Sequence, residues 1–192
     1  MPHAAPRAGR LSAIMHGMMA VAMALSAPTG QHTLAQASGE ALDAHAATLV
    51  FERLKSLEGD WLGKSTRGWT DTASFRTIAG GSVVVQTSFD AHPGETMMTM
   101  YHLDGPRLVL THYCVAKNQP RLVARKSSEG GRTITFGFLD ATGISTRDSG
   151  HMDQAIYTFV DDDHFTSKWT WYQDGSERWL EEILYERKPR RP

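Results

Sequence analysis

Side chains that could bind a ligand are concentrated in two neighbouring predicted strands, over residues 95–103 and 107–116. Successive strand residues point to opposite faces. One face of each strand carries the candidates: Met98, Met100 and His102 on the first strand, and Leu110, His112 and Cys114 on the second. A three-residue connection, 104–106, predicts that both sets lie on the same side of the sheet. Thioethers adapt to irregular apolar surfaces, so these strands predict a wall that binds a small apolar or amphipathic molecule.

A second candidate contact is Arg121, which follows the predicted turn 118–120 near one end of the strands. A guanidinium there could pair with the carboxylate of an amphipathic ligand. The alternative is an exposed charge at a strand end. For the wall as a whole the alternative is a filled core with hydrogen-bonded histidines and an inert thiol. That alternative describes a structural or interaction protein without a ligand.

The same residues include side chains that can bind metals or take part in catalysis. His112 and Cys114 project to one side, and His102 could approach from the neighbouring strand, but zinc requires three or four ligands and no fourth is evident. His151 and Asp153 are interpreted as part of a surface turn. Side chains two residues apart on a strand are about 7 Å apart, beyond hydrogen-bond reach, so His112 does not activate the Cys114 thiol. The sequence therefore predicts neither a metal site nor catalytic residues.

Recognisable enzyme motifs are absent from the sequence. It contains no Gly-x-Ser-x-Gly, His-Glu-x-x-His, phosphate-binding glycine loop or Gly-x-Gly-x-x-Gly. The acidic run 161–163 is interpreted as a solvated turn rather than a calcium site. The motif search therefore favours a protein that is not an enzyme.

Charge and composition narrow the range of partners. The 192 residues are 41% hydrophobic and 21% charged, which is typical of a globular chain rather than a disordered one. The formal net charge is −1, so no basic surface for nucleic acid is expected. Nothing in the composition specifies an oligomeric state.

The first 37 residues have the pattern of a secretory signal. Arg7 and Arg10 precede an apolar core over 17–27. Ala35-Gln36-Ala37 supplies a small-x-small cleavage site, and a cut after Ala27 is the alternative. The apolar core is too short for a stable membrane span, which needs about 20 residues. We therefore expect a periplasmic or secreted protein. Cys114 is the only cysteine, so the chain forms no internal disulfide.

The elements that position these residues are one helix and a series of short strands. Apolar residues recur at three- and four-residue spacing over 40–57, which predicts a helix. Turn residues then separate ten predicted strands: 60–68, 72–79, 82–90, 95–103, 107–116, 120–127, 132–140, 152–160, 164–172 and 176–187. Close spacing without intervening helices indicates an antiparallel meander, and closure into a barrel removes its exposed edges. The predicted fold is an all-β, up-and-down barrel of about ten strands preceded by one helix.

The predicted domain organisation is simple. It consists of a signal at 1–37, a helical segment at 38–58, a barrel at 59–188 and a short basic tail at 189–192. In the last predicted strand, Glu181 shares a face with Trp179, Ile183 and Tyr185. Two interpretations remain open: a partly wet outer face, or a polar group inside a ligand cavity.

Gly59-Asp60-Trp61, at the start of the first predicted strand and directly after the helix, resembles the opening signature of lipocalin-like (calycin) barrels. The segments 51–61, 111–114 and 118–121 also resemble secreted bacterial proteins of unknown function with this expected fold. The resemblance implies that Trp61 fills the closed end of the barrel and that a basic side chain of the last strand, for which Arg187 is the candidate, packs over it. Ten strands resemble the fatty-acid-binding and nitrobindin-like branches more than the eight-stranded lipocalins.

The nitrobindin-like resemblance also implies a haem ligand, a histidine late in the chain. No histidine follows His164, which lies in the acidic turn after residue 163. His112 is the alternative with an apolar setting, so a minor haem- or metal-linked role is assigned to it as a further possibility. The cofactor is left unassigned.

Overall fold

A computed structural model describes residues 40–88 and 96–189 of the chain, with Glu129 described by its backbone only. The predicted signal at 1–37 and residues 190–192 of the predicted tail lie outside the described residues. One α-helix, α1 (Ala44–Lys55), precedes the strands. It is shorter than predicted because the Asp43 carboxylate caps its first turn, accepting a hydrogen bond from the Ala46 N–H at 2.8 Å.

Ten strands follow the helix. They are β1 (Gly59–Ser65), β2 (Thr70–Ile78), β3 (Val83–Ser88), β4 (Met97–Asp104), β5 (Arg107–Tyr113), β6 (Gln119–Ser127), β7 (Thr133–Thr142), β8 (His151–Phe159), β9 (His164–Gln173) and β10 (Ser176–Arg187). Each strand pairs antiparallel with its neighbour in sequence, and β1 pairs with β10 to close the barrel. The predicted helix-preceded, ten-stranded, up-and-down barrel is confirmed.

The tight connections follow from their turn residues. The β4–β5 connection is a two-residue turn of Gly105 and Pro106, because Asp104 is already paired with Arg107. Gly105 takes a φ of 58°, a left-handed conformation that glycine adopts without steric cost. The longer loop predicted at 141–151 is observed at 143–150, between β7 and β8.

Helix α1 closes one end of the barrel. Its buried face is formed by Ala47, Val50, Phe51 and Leu54. This face packs in one cluster with the inward-facing residues of the barrel, Trp61 among them. We call this the closed end, and we call the opposite end, where β1, β3, β5, β7 and β9 finish, the mouth. Among the described residues, no helix has the length and apolar character needed to cross a bilayer.

Trp61 and Arg187 join the helix to the first and last strands. The Trp61 ring is fully buried, and its Nε1 donates to the carbonyl of Leu57 at 2.8 Å. The Arg187 guanidinium lies 4.2 Å from the centre of that ring. It also donates to the carbonyls of Ser56 and Glu58, at 3.0 and 2.8 Å. The expected packing of a basic side chain over the tryptophan is therefore present, and it fixes the end of α1 to β10.

Candidate functional site

The predicted single wall of ligand-binding residues is wrong, because the two candidate sets lie on opposite faces of the sheet. In the β4–β5 register, Thr99 pairs with His112 and Tyr101 with Leu110, and these residues face the barrel interior. The outward-facing members of β4 are Met98, Met100 and His102. The reason is the connection, which has two residues instead of three. A one-residue change in register reverses every side chain.

Arg121 also lies on the outer wall. It pairs in register with Thr111 and with Asp140, and its guanidinium forms a salt bridge with the Asp140 carboxylate. Hydrogen bonding to Asp140 raises the pKa of Arg121. The structure therefore does not bring this guanidinium to the interior positions of Leu110 and His112.

Inside the barrel, His112 is a buried histidine with one ring nitrogen paired. Its Nδ1 lies 2.9 Å from Thr99 Oγ1, and its ring centre is 5.0 Å from that of Trp169. Burial lowers the pKa of His112 to about 4, so the imidazole is neutral at pH 7. Its Nε2 has no hydrogen-bond partner among the described residues. A buried polar atom in this state marks a place where water or a ligand is expected to bind.

A small cavity of about 30 Å³ lies beside this ring; we call it the His112 cavity. Its lining residues are Gln86, Ser88, Thr99, His112, Met152, Ser167, Trp169, Leu180, Glu181, Ile183 and Tyr185. By volume it has room for about two water molecules. Glu181 is the charged member, with 14% of its side chain exposed, and Arg67 lies 3.7 Å from its carboxylate. Of the two interpretations of Glu181, the structure supports the polar group inside a cavity.

Sulfur-containing and aromatic side chains surround the His112 cavity on the side of the mouth. Met97, Cys114 and Met152 form one buried cluster, against which Val115, Trp169, Trp171 and Leu180 pack. We call these seven residues the rim cluster. Met97 immediately precedes the predicted Met98, and it was missed because the register was displaced by one residue. Met152 and Trp169 come from β8 and β9, and no local pattern in the sequence connects them to His112.

A pair of tyrosines separates the His112 cavity from the closed end. The hydroxyls of Tyr101 and Tyr157 are 2.6 Å apart, and both reach Gln86 Oε1, at 2.6 and 3.0 Å. Burial raises the pKa of both tyrosines, so their hydroxyls remain protonated and act as donors. The hydrogen bonds among Tyr101, Tyr157 and Gln86 therefore form a polar layer across the middle of the barrel interior.

The interpretation of His151 and Asp153 as a surface turn is wrong. His151 is fully buried, with Nδ1 bonded to the Ser149 carbonyl and Nε2 to Arg147. The Arg147 guanidinium pairs with Asp153 and lies between the rings of Phe138 and Tyr172, 4.2 and 3.8 Å from their centres. These contacts hold the 143–150 loop against the mouth. Within 40–88 and 96–189, no group of three His, Cys, Asp or Glu residues is placed to hold a metal.

A haem does not fit the residues present. His164, the first residue of β9, is bonded to Asp161 of the preceding exposed turn at 2.8 Å. The His112 cavity is roughly tenfold smaller than the 300–1,000 Å³ of typical cofactor pockets, and Trp169 covers the imidazole.

A wide cleft of about 1330 Å³ lies outside the barrel at the closed end, beside residues 55–60 and 187–189. It is lined by charges of both signs, four of which pair within the cleft: Arg76 with Asp60 at 2.6 Å and Arg187 with Asp163 at 3.2 Å. Because these charges are already paired, we interpret the cleft as a solvated surface.

Comparison with known proteins assigns the chain to no family. No protein-family model matches the chain, and no curated protein is similar to it. One similar solved structure is a protein of unknown function from the DUF3598 family of Nostoc punctiforme, with 12% identity and a TM-score of 0.44. The match covers 70% of this chain and 49% of that one, so the chain spans about half the length of this neighbour.

Proposed function

We propose that the protein binds a small amphipathic molecule at the mouth of the barrel. The polar group of the ligand occupies the His112 cavity, and its apolar part packs against the rim cluster. The observation that carries the proposal is the buried His112 Nε2, which has no partner among the described residues and belongs to a side chain that lines a cavity together with other polar side chains.

The lining of the cavity selects the polar group. The neutral His112 ring donates or accepts through Nε2, according to which role Thr99 Oγ1 takes at Nδ1. Ser167 and Gln86 add neutral polar atoms, and Glu181 adds a carboxylate. A carboxylate ligand would be repelled by Glu181, so the expected head group is a hydroxyl, an amide or an amine. The small volume limits that group to a few non-hydrogen atoms.

The expected export of the protein belongs to the same proposal. It is supported by the signal-like pattern of residues 1–37. Membership of the lipocalin-like barrels is supported by Gly59, Trp61 and Arg187, which occupy the positions and the packing that the resemblance implies. A periplasmic or secreted carrier of an uncharged or cationic amphipath is the function that these features favour together.

The test compares three probes of equal chain length: octan-1-ol, octylamine and octanoate. Binding is followed by calorimetry and by tryptophan fluorescence, since Trp169 contacts both His112 and the rim cluster. We expect the alcohol and the amine to bind at least about tenfold more tightly than the acid, a difference of about 1.4 kcal/mol. Equal binding of octanoate contradicts the assigned head group, and no binding of any probe overturns the proposal.

Two histidines on adjacent strands supply a matched control. His112→Leu removes the inward-facing imidazole and is expected to abolish binding of the alcohol. His102→Leu makes the same change on the outer wall and should leave binding unchanged. His112→Gln, which keeps a polar side chain, is expected to bind with intermediate affinity. Native mass spectrometry of protein purified from its own host would then reveal the mass of the natural ligand.

The second candidate function is that of a structural or interaction protein, in which the barrel is filled by side chains and binds no ligand. It is favoured by the closed half of the barrel, where the fully buried rings of Trp61, Phe75, Phe165 and Tyr185 fill the interior. In that case no probe binds, and His112→Leu stabilises the protein because it removes a buried polar atom without a partner. The probes separate the two candidates, because they bind the unaltered protein only if the first is right.

A further inference from the structure

Three sulfur-containing side chains meet at the mouth of the barrel. Met97, Cys114 and Met152 have exposed fractions of 2%, 9% and 8%, and together they form the buried core of the rim cluster. They come from three separate strand ends: the start of β4, the residue after β5 and the start of β8. Met98 pairs with Tyr113, so Met97 and Cys114 occupy the next, inward-facing positions of the same two strands.

A fourth donor, the His112 imidazole, lies on the same inward face of the chain as Cys114. His112 is two residues before Cys114 on the inward face of β5, and it borders the same cavity as Met152. Its Nε2 is fully buried and lacks a hydrogen-bond partner in the described part of the chain. The imidazole contacts the same Trp169 that packs against the sulfur cluster.

We propose that this cluster is a Cu(I) site, with the Cys114 thiolate, the Met97 and Met152 thioethers and the His112 imidazole as its donors. Thiolate and thioether ligands select Cu(I), whereas zinc sites use thiolate, imidazole and carboxylate and rarely thioether. On binding, the Cys114 thiol releases its proton to solvent and forms the sulfur–copper bond. No electron is transferred, because the metal enters as Cu(I).

Charge balance favours a monovalent ion over a divalent one. One Cu⁺ and one thiolate form a neutral pair, which can be buried among Trp169, Trp171 and Leu180 without an unpaired charge. A divalent ion would need a second anionic ligand. Glu181, the carboxylate in the cavity lining, is not a member of the rim cluster. This inference does not depend on the organic ligand of the proposed function, although both use His112.

The test is an anaerobic titration of the full protein with Cu(I) supplied as its bathocuproine disulfonate complex. Loss of the coloured complex measures transfer of the metal, and a near-ultraviolet thiolate-to-Cu(I) band reports the sulfur–copper bond. We expect one equivalent to bind, with no comparable affinity for Zn²⁺. Absence of transfer overturns the proposal, and so does Zn²⁺ binding of equal strength.

Methionine variants separate a metal site from apolar packing. Met97→Leu and Met152→Leu conserve volume and should preserve the fold. Each is expected to weaken Cu(I) binding at least about tenfold, on the scale seen when metal-site partners are lost. Met98→Leu, on the outer wall, is the matched control and should bind as the unaltered protein does. Wild-type affinity in both inner variants overturns the proposal, because the thioethers then take no part.

Cys114→Ser and alkanol binding distinguish this site from the proposed function. The serine variant should lose the near-ultraviolet band and most of its Cu(I) affinity while it still binds octan-1-ol through His112. Urea denaturation of each variant checks folding. X-ray absorption at the copper edge should count three sulfur neighbours and one nitrogen neighbour; a site with a single sulfur neighbour contradicts the assignment.

Discussion

The two halves of this barrel use buried polar atoms in different ways. At the closed end, the buried ring and the cation over it have partners: Trp61 Nε1 donates to the Leu57 carbonyl, and the Arg187 guanidinium donates to the Glu58 carbonyl at 2.8 Å. The rings themselves pack closely, with Phe165 edge-on to Trp61 at 4.7 Å and stacked on Tyr185 at 4.6 Å. Such packing contributes mainly to stability.

At the mouth, polar and polarizable groups surround a space. The His112 Nε2 lacks a partner within the described residues, and Ser167, Glu181 and the thioether of Met152 share its cavity. An unpaired buried polar atom costs free energy of unfolding, roughly 1–3 kcal/mol. The comparison indicates that the closed end stabilises the barrel, whereas the unpartnered atom at the mouth, where we propose that a ligand binds, lowers its stability. The predictions below test this division.

The largest effect is expected for Trp61→Ala. The ring is fully buried, and its loss leaves a cavity and an unpaired Leu57 carbonyl. Removing a buried tryptophan costs about 3–5 kcal/mol. Urea denaturation measures this loss in the free energy of unfolding. The control is Trp179→Ala at 49% exposure, for which we expect a change within about 0.5 kcal/mol. Equal losses from the two variants would contradict the division.

A smaller loss of stability is expected for Arg187→Met. The guanidinium donates to the Ser56, Glu58 and Asp162 carbonyls and covers Trp61, while methionine keeps only the apolar stem. Loss of these charge-assisted hydrogen bonds should lower the free energy of unfolding by about 2–3 kcal/mol. Arg107→Met is the control, because its salt bridge with Asp104 is exposed and contributes little. A loss of the same size in both variants would show that Arg187 has no special role in closure.

The third prediction concerns the pH dependence of stability that results from burial of His112 at the mouth. In the unfolded chain this histidine binds a proton near pH 6.5, whereas burial lowers its pKa in the fold to about 4. The unfolded state therefore gains a proton first as the pH falls, and stability decreases from about pH 6.5 down to pH 4. Between pH 7.5 and pH 5 the loss from this group is about 2 kcal/mol.

The measurement for this prediction is urea denaturation at several pH values. His112→Gln should remove that part of the pH dependence, and His102→Gln on the outer wall should retain it. If the pH profile of His112→Gln matches that of the unaltered protein, the imidazole is not held neutral by burial.

The fold could be predicted from sequence because its signals are local. Turn residues such as Gly105 and the Asp174-Gly175 pair separate the strands, and alternation within each strand indicates one buried face. The closed end at Trp61 was implied by the resemblance of residues 59–61 to lipocalin-like barrels. The strand bounds agree with the structure to within a few residues, since propensity and pattern indicate the same elements.

The candidate site could be predicted only in part, because it depends on register and on distant strands. His112, Leu110 and Cys114 were placed on the right face of their strand. Met98 was chosen in place of Met97 because one residue more was assigned to the β4–β5 connection than Asp104 and Arg107 allow. The two-residue alternation along a strand shows which residues share a face, but it does not show which of the two faces points into the barrel. The approach of Met152 and Trp169 to His112 depends on closure of the whole barrel.

The smallest effect is expected at Arg121, which the structure moves from the site to the outer wall. Its salt bridge with Asp140 joins side chains that are 45% and 42% exposed. Exposed pairs contribute roughly 0–1 kcal/mol, so a double-mutant cycle of Arg121→Ala and Asp140→Ala should give a coupling energy in that range. Binding of octan-1-ol should be unchanged in Arg121→Ala, because the guanidinium faces solvent on the other side of β6. If the variant instead lost binding, the ligand would have to contact the outer wall, and the assignment of binding to the mouth would be wrong.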